Sequence, residues 1–390
     1  MSLFFSKPKT ELIALFDVGS SSVGGALVLK DGKNIPTFIF SIREPIHLTE
    51  NFVFDRFFNA TLQSLEKVAK QINLSGLGAV TKIYCTFSSP WYASQTRNIQ
   101  LEKNISFTFT SKIAEHLNKK EYLLFEEENI KKFENGLSDA RIIESKNMSV
   151  ALNGYRVQNP IGIKTKKVEM SLFVSMSNQH ILTKIEESIG RHLHFKNIKF
   201  SSFIFSFFTT LRDLFNTYED FLCIDIGGEI TEIGLVKKDV LVESVSFPYG
   251  KNFILRNLSK KLGYDIDHTK SLFALYIEGH LERKMTEKII KELHSITNEW
   301  LKQFGASLNL LSNHMLLPHT LFFSTDEDMI QYFTEVMQKE ETHQYTKTIS
   351  KFKIIPIDTK ILHGNAHFSE AVSRDSALIM QSIYINRYNA

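Results

Sequence analysis

Residues Phe221–Val236 read FLCIDIGGEITEIGLV. A short apolar run, Phe221–Ile224, ends in Asp225, and the glycines Gly227 and Gly228 follow. A second β-rich run spans Ile230–Val236. Lys237–Asp239 makes a polar turn, and Val240–Val245 alternates again. The pattern predicts three strands joined by tight turns, with a carboxylate and glycines at the first turn.

The same phrase stands near the N-terminus. Leu12–Phe16 runs into Asp17, followed by Val18-Gly19-Ser20-Ser21-Ser22. Val23–Leu29 is the next strand, Lys30-Asp31-Gly32 the turn, and Ile35–Phe40 the third strand. Asp17 lies 14 residues before Asp31, and Asp225 lies 14 before Asp239. The chain therefore holds two copies of one unit, 208 residues apart. Glycine lets backbone approach a ligand closely, and successive N–H groups in such a turn form a nest for anions. An aspartate at a strand end can hold a divalent ion through water. Two such turns face to face would clamp a phosphate chain and its magnesium. Either copy alone also fits an ordinary hairpin with a polar turn.

LFDVGSSSV (Leu15–Val23) resembles the first phosphate loop of the actin/Hsp70/sugar-kinase superfamily, and CIDIGGEITEIGLV (Cys223–Val236) resembles the second. Within that superfamily the chain resembles the FtsA/PilM branch. The resemblance implies a two-lobed actin-like α/β fold, a duplicated ribonuclease-H-like unit, with an inserted SHS2-like α+β subdomain. It implies ATP and Mg2+ as cofactors. Asp17 and Asp225 would orient the metal through water. Gly19, Ser20, Ser21, Gly227 and Gly228 would offer N–H groups to the phosphates, with Thr231 and Gly250 completing the second loop. The expected division is a first lobe of 1–83 and 178–217 with a closing helix in 369–390, an insertion of 84–177, and a second lobe of 218–368.

Three departures from the family pattern bear on activity. Glu229 stands where a third glycine is usual, and a carboxylate near a γ-phosphate would repel it by about 1 kcal/mol or more. Ser324–Asp328 replaces the glycine pair that backs the adenine. Phe203–Phe215, the helix that often carries the residue positioning the attacking water, offers serines, threonines and phenylalanines. Slow or absent hydrolysis is the expectation. Lys270 is the one candidate for a ribose contact.

Along the rest of the chain, Phe52–Ile72 has helical spacing and Thr81–Phe87 alternates. Strands are expected over Ile99–Phe109, Arg141–Ile143, Ser149–Leu152, Tyr155–Val157 and Val168–Met176, with a helix over Ser111–Phe133. Asn153–Gly162 (NGYRVQNPIG) looks like the central hairpin of the SHS2-type insertion. Helices are expected over Asn178–His192, Lys251–Leu262, His268–Ile277, Lys284–Leu311, Glu327–Lys339 and Ser369–Tyr388, and a strand over Lys351–Ile357.

The totals set outer bounds. A chain of 390 residues suggests several subdomains. A hydrophobic share of 43% and a charged share of 23% are those of a globular protein. A net charge of +3 without a dense Lys/Arg stripe gives no case for a nucleic-acid partner. Cys85 and Cys223 sit in apolar runs and read as buried free thiols of a reducing compartment. Met1–Thr10 lacks the apolar length of a signal peptide, and Phe200–Leu211 is too short to span a bilayer. His192 and His194 read as two imidazoles on one strand face without a third ligand.

The expected function is a cytoplasmic nucleotide-binding scaffold at the inner face of the membrane, serving cell division or type IV pilus assembly. It would be held there by a membrane-protein or cytoskeletal partner through 84–177, with self-association possible. No basic amphipathic tail follows the last helix, so direct membrane insertion is not expected. The alternatives are a pseudo-ATPase adaptor without nucleotide and a small-molecule kinase.

Overall fold

The computed structural model describes residues 10–32, 34–132, 139–195, 197–312, 316–338 and 351–388. Most of the leader Met1–Thr10, and the far ends of the helices expected over Ser111–Phe133 and Glu327–Lys339, lie outside them.

The first repeat is β1 (Glu11–Val18), β2 (Ser22–Lys30) and β3 (Thr37–Pro45), all antiparallel. Every residue of β1 from Leu12 to Val18 is buried, as a central strand covered on both faces requires. Helix α1 (Phe54–Leu74) lays Phe57, Phe58, Leu65, Val68, Ala69 and Ile72 on that sheet. Its first residue, Phe54, stays half-exposed, and Ser64 is buried in its turn by bonding the Pro45 carbonyl at 2.8 Å. Strand β4 (Lys82–Phe87) then pairs parallel with β1.

A separate four-stranded sheet comes next. It holds β5 (Ala93–Thr108), β6 (Ala140–Leu152), β7 (Tyr155–Arg156) and β8 (Lys164–Asn178), in the order β5-β8-β6-β7, with α2 (Ser111–Lys132) between its first two strands in sequence. Ile99, Phe109, Leu117, Phe125 and Val168 are among the side chains of its own core. Two expectations are corrected here. Tyr84–Phe87 lie within β4 of the first sheet, so the third sheet starts at Ala93 and not at residue 84. The strands expected over Arg141–Ile143 and Ser149–Leu152 are one strand, β6. Register shifts at Ile142/Glu144 and Asn147/Ser149 break its alternation, as bulges do.

Helix α3 (Gln179–Leu193) is capped by Asn178, which accepts from the His180 N–H at 2.8 Å. It ends at His194, in the left-handed region at φ 51°. His192 and His194 thus sit at a helix end, not on a strand face. Strand β9 (Ile198–Ser202) joins β4, and α4 (Phe203–Leu214) follows, buried without interruption from Phe203 to Leu211.

The second repeat is β10 (Phe221–Ile226), β11 (Thr231–Lys237) and β12 (Val240–Phe247), again antiparallel. Both repeats carry a β-bulge at the same place, between Leu27 and Val28 and between Leu235 and Val236, 208 residues apart. Helices α5 (Lys251–Leu262), α6 (Ile266–Ile277) and α7 (Arg283–Ser312) cover this sheet. Strands β13 (Thr320–Thr325) and β14 (Lys353–Pro356) extend it in parallel, with α8 (Ile330–Gln338) between them. The short strand β15 (His367–Phe368) returns to β3, and α9 (Ser376–Tyr388) packs on β1 and α4. The closing helix begins at Ser376, not Ser369. Asp375 caps it by accepting from the Leu378 N–H at 3.0 Å, and the preceding residues form an irregular loop.

The lobe sheets run β15-β3-β2-β1-β4-β9 and β12-β11-β10-β13-β14. Apart from β15, they share one strand order and one pattern of directions. Helix α4 lies between them, with Phe221, Cys223 and Phe322 of the second sheet in the same core as its phenylalanines. Both cysteines are free and buried.

Candidate functional site

The two repeats direct the carboxyl ends of β1 and β10 at each other. Between those ends lies a cavity of about 460 Å³, lined by Asp17, Gly19–Ser22, Arg43, Asp225–Gly227, Lys251, Ser324–Asp328 and the loop Ser373–Ala377. Ligands of open α/β sheets bind beyond the carboxyl ends of their strands, and this cavity has that position.

Asp17 is buried. Its Oδ2 accepts from Arg43 Nη2 at 2.7 Å, and its Oδ1 has no partner. Burial raises its pKa, against the opposing pull of Arg43. Asp225 is 9% exposed, and its carboxylate makes no hydrogen bond among the described residues. Burial, then Glu232, which is its direct cross-strand partner, push it well above the usual carboxylate range. Glu232 is itself held by Tyr92 Oη at 2.6 Å and Ser89 Oγ at 2.9 Å.

The loops themselves are in contact. Ser20 Oγ accepts from the Glu229 N–H at 3.0 Å. A Cβ on Gly228 would stand 2.5 Å from the Ser20 carbonyl oxygen, so glycine is required there. The Gly19 and Gly227 N–H groups close their own turns, onto Ser22 O at 3.1 Å and Ile230 O at 3.0 Å. Ser20 and Ser21 keep N–H groups with no acceptor among the described residues. Trp91 Nε1 braces the first loop by donating to Gly19 O at 2.9 Å.

Of the residues singled out from sequence, Asp17, Gly19, Ser20, Ser21, Asp225 and Gly227 line the cavity. Gly228 faces Ser20 instead. Thr231 is fully buried and donates to Tyr249 O at 2.8 Å, away from the cavity. Gly250 packs under the second loop, where a Cβ would stand 2.3 Å from Gly227 O. The first amides of α5 are taken by that loop, Lys251 N–H by Gly227 O and Asn252 N–H by Gly228 O. The helix end stiffens the loop and leaves those amides no free direction.

Glu229 turns away from the cavity. It pairs with Arg256 through both oxygens at 2.6 and 2.7 Å and accepts from Asn252 at 2.7 Å. The repulsion expected of it therefore falls away. Lys270 pairs with Asp267 on its own exposed helix turn and does not line the cavity.

Four lining residues escape sequence reasoning: Arg43, Lys251, Asp326 and Asp375. Arg43 donates to Asp375 at 2.6 and 3.0 Å, to Ser22 Oγ at 2.8 Å and to Asp17. A signal for it existed in Gly24, where a Cβ would stand 2.6 Å from Arg43 Nη2. Lys251 pairs with Asp326 and, at 3.7 Å, with Asp328. Asp326 overcomes its burial through Lys251, Arg43 and the Ser21 hydroxyl, which hold it below the usual carboxylate range.

Six carboxylates and three cations line the cavity. That excess opposes a bare polyphosphate and favours one accompanied by a cation. The unpartnered Asp17 Oδ1 and Asp225 fit a hard cation held largely through water. No group of three or more His, Cys, Asp or Glu able to hold a metal occurs among the described residues, so water and ligand oxygens would complete its shell. The contribution of α4 to the lining is Phe203.

The chain matches no protein-family model and no curated protein sequence. Among solved structures it is similar to a chain of the PilM-PilN type IV pilus biogenesis complex, with a TM-score of 0.60 and 13% identity, covering 95% of this chain and 96% of that one. It is also similar to the ethanolamine utilization protein EutJ from Carboxydothermus hydrogenoformans (TM-score 0.43, 10% identity, 97% and 89% covered). A Bacteroides thetaiotaomicron protein with an actin-like ATPase fold gives a TM-score of 0.41 at 9% identity, with 98% of each chain covered. Of the three, the first is close enough in shape to argue from. The chain has the actin-like ATPase fold, in the form seen in PilM.

Proposed function

We propose that this chain is a nucleotide-binding scaffold of the FtsA/PilM type that hydrolyses ATP slowly or not at all. The observation that carries the reading is the matched pair of loops on one cavity, each with a buried aspartate at its strand end, and the Asp17 Oδ1 left without a partner. In this reading the Ser20 and Ser21 amides would meet the phosphates, and Asp225 and Asp17 Oδ1 would hold the water around a Mg2+, which when bound would offset phosphate charge. Phe203, at the head of α4, excludes water and supplies no group to activate it.

The scaffold acts at the inner face of the membrane, in type IV pilus assembly or cell division. The likeness to a chain from a PilM-PilN complex supports the first of these. No helix among the described residues is long and apolar enough to cross a membrane, which supports attachment through a membrane-protein or cytoskeletal partner. The third sheet offers the surface: Ile105, Tyr155, Ile161 and Ile163 stand exposed around its far end.

A second reading, an adaptor that binds no nucleotide, is favoured by one observation: the cleft cations Arg43 and Lys251 are already paired with carboxylates. Titration of a fluorescent ATP analogue with and without Mg2+ decides between them. Saturable, Mg2+-dependent binding that Asp225→Ala weakens supports the nucleotide reading. No binding at millimolar nucleotide leaves the adaptor.

A further inference from the structure

We propose that the Asp326 carboxylate occupies a phosphate subsite of the cleft and competes internally with the bound nucleotide. The inference rests on the nucleotide reading above and adds a regulatory contact to it.

Asp326 follows the last residue of β13, whose Thr325 hydroxyl is pinned to Ile226 O at 2.9 Å, beside the second loop. The Lys251 ammonium pairs with its carboxylate, and the Ser21 hydroxyl and the Arg43 guanidinium, which line the same cavity, favour its ionised form. An ammonium, a hydroxyl and a guanidinium are the donors that a phosphoryl oxygen takes. In a cavity with twice as many carboxylates as cations, this spot favours an anion, and a side chain of the chain itself already sits there.

Ser21 belongs to the first repeat and Asp326 to the second, and both line the cavity, so a phosphate that reached Ser21 and Lys251 would bridge the lobes where the carboxylate now sits. About a third of the side chain remains exposed, and it lines the cavity. A nucleotide that reaches Ser21 and Lys251 must displace it.

The test is titration of a fluorescent ATP analogue with Mg2+ into the parent, Asp326→Asn, Asp326→Ala, Lys251→Gln/Asp326→Asn, and Glu335→Gln. Glu335 lies exposed on α8 and controls for a change of one charge. Both Asp326 variants should bind roughly tenfold tighter or more. The double variant should lose that gain, because Lys251 is the donor set free. Glu335→Gln should match the parent. Binding by an Asp326 variant where the parent shows none supports the inference as well. Parent binding with no gain on removing Asp326 overturns it while leaving the nucleotide reading intact. So does an equal gain in Glu335→Gln, or a gain kept by the double variant. No binding by the parent or either Asp326 variant at millimolar nucleotide overturns both.

Discussion

Asp225→Asn should make the protein more stable, by an amount that grows with pH. The Asp225 carboxylate is buried without a hydrogen bond among the described residues and stands directly opposite Glu232 on the neighbouring strand. Directly opposed side chains have Cβ atoms about 5 Å apart. Two unit charges at about 5 Å repel by roughly 3 kcal/mol at an effective dielectric of about 20, and by under about 1 kcal/mol in water. An amide of the same shape should therefore gain about 1–3 kcal/mol once both groups are ionised. The sign with pH follows from the raised pKa of Asp225. The folded protein keeps a proton that the unfolded chain has released. Stability from this group is thus lost as pH rises from the ordinary carboxylate value through the folded one. Urea midpoints of parent and variant from about pH 4 to about pH 8 measure the effect. The two should converge at the acid end and separate toward the alkaline end, with the variant ahead. A variant less stable at about pH 8, or an offset independent of pH, refutes the reasoning. The same variant should lose Mg2+-dependent binding of nucleotide, which would mark Asp225 as a group kept for its ligand at a cost in stability.

Arg256→Ala should destabilise by about 3–5 kcal/mol, because it leaves Glu229 buried with Asn252 alone; adding Glu229→Gln should restore most of the loss. Urea melts of the single and double variants check this, and a single variant within about 1 kcal/mol of the parent contradicts it. Gly228→Ala should cost about 1–3 kcal/mol and weaken nucleotide binding, since its Cβ meets the Ser20 carbonyl and parts the two loops. Parental stability together with parental affinity would count against the close approach. Flotation with anionic liposomes should leave the purified protein unbound; tight, salt-sensitive binding without a partner would argue for a self-anchored scaffold.

The repeated hairpin was legible because its signals are local. Strand alternation, a turn and an aspartate lie within some thirty residues, and the second copy confirms the spacing of the first. The positions of Asp17 and Asp225 at facing strand ends followed from that repeat. The cations of the cleft were not legible. Arg43 meets Asp375 across 332 residues, and Lys251 meets Asp326 from a different element of its lobe. Such pairings exist only once the sheets are closed. Glu229, Thr231 and Gly250 were misplaced for a related reason: the sequence shows which residues a loop contains, not which of them face its neighbours. Bulges hid the continuity of β6 by interrupting its period. At α9, Val372 fits the helical period, yet Asp375 is drawn to Arg43 and caps the helix, so the turn before it stays open.

The third sheet touches both lobes. Near its base, Glu144 of β6 accepts from the Ser202 N–H at 3.1 Å and from Tyr384 of α9, in the first lobe. On its other side Thr96 of β5 donates to Leu241 O, and Arg156 of β7 to Lys238 O at 2.8 Å, in the second lobe. A body clamped to both jaws of a hinge turns when the jaws move. Paired along β8 from Met176 to Lys164, strand β5 runs about 40 Å from the jaws to the free end of the sheet, with a bulge between Glu102 and Phe107. Tilting it by about 5° carries its free end through about 3.5 Å, enough to make or break side-chain contacts. The insertion is thus a pointer on the cleft, and a protein gripping its tip would register lobe angle as a displacement without touching the nucleotide.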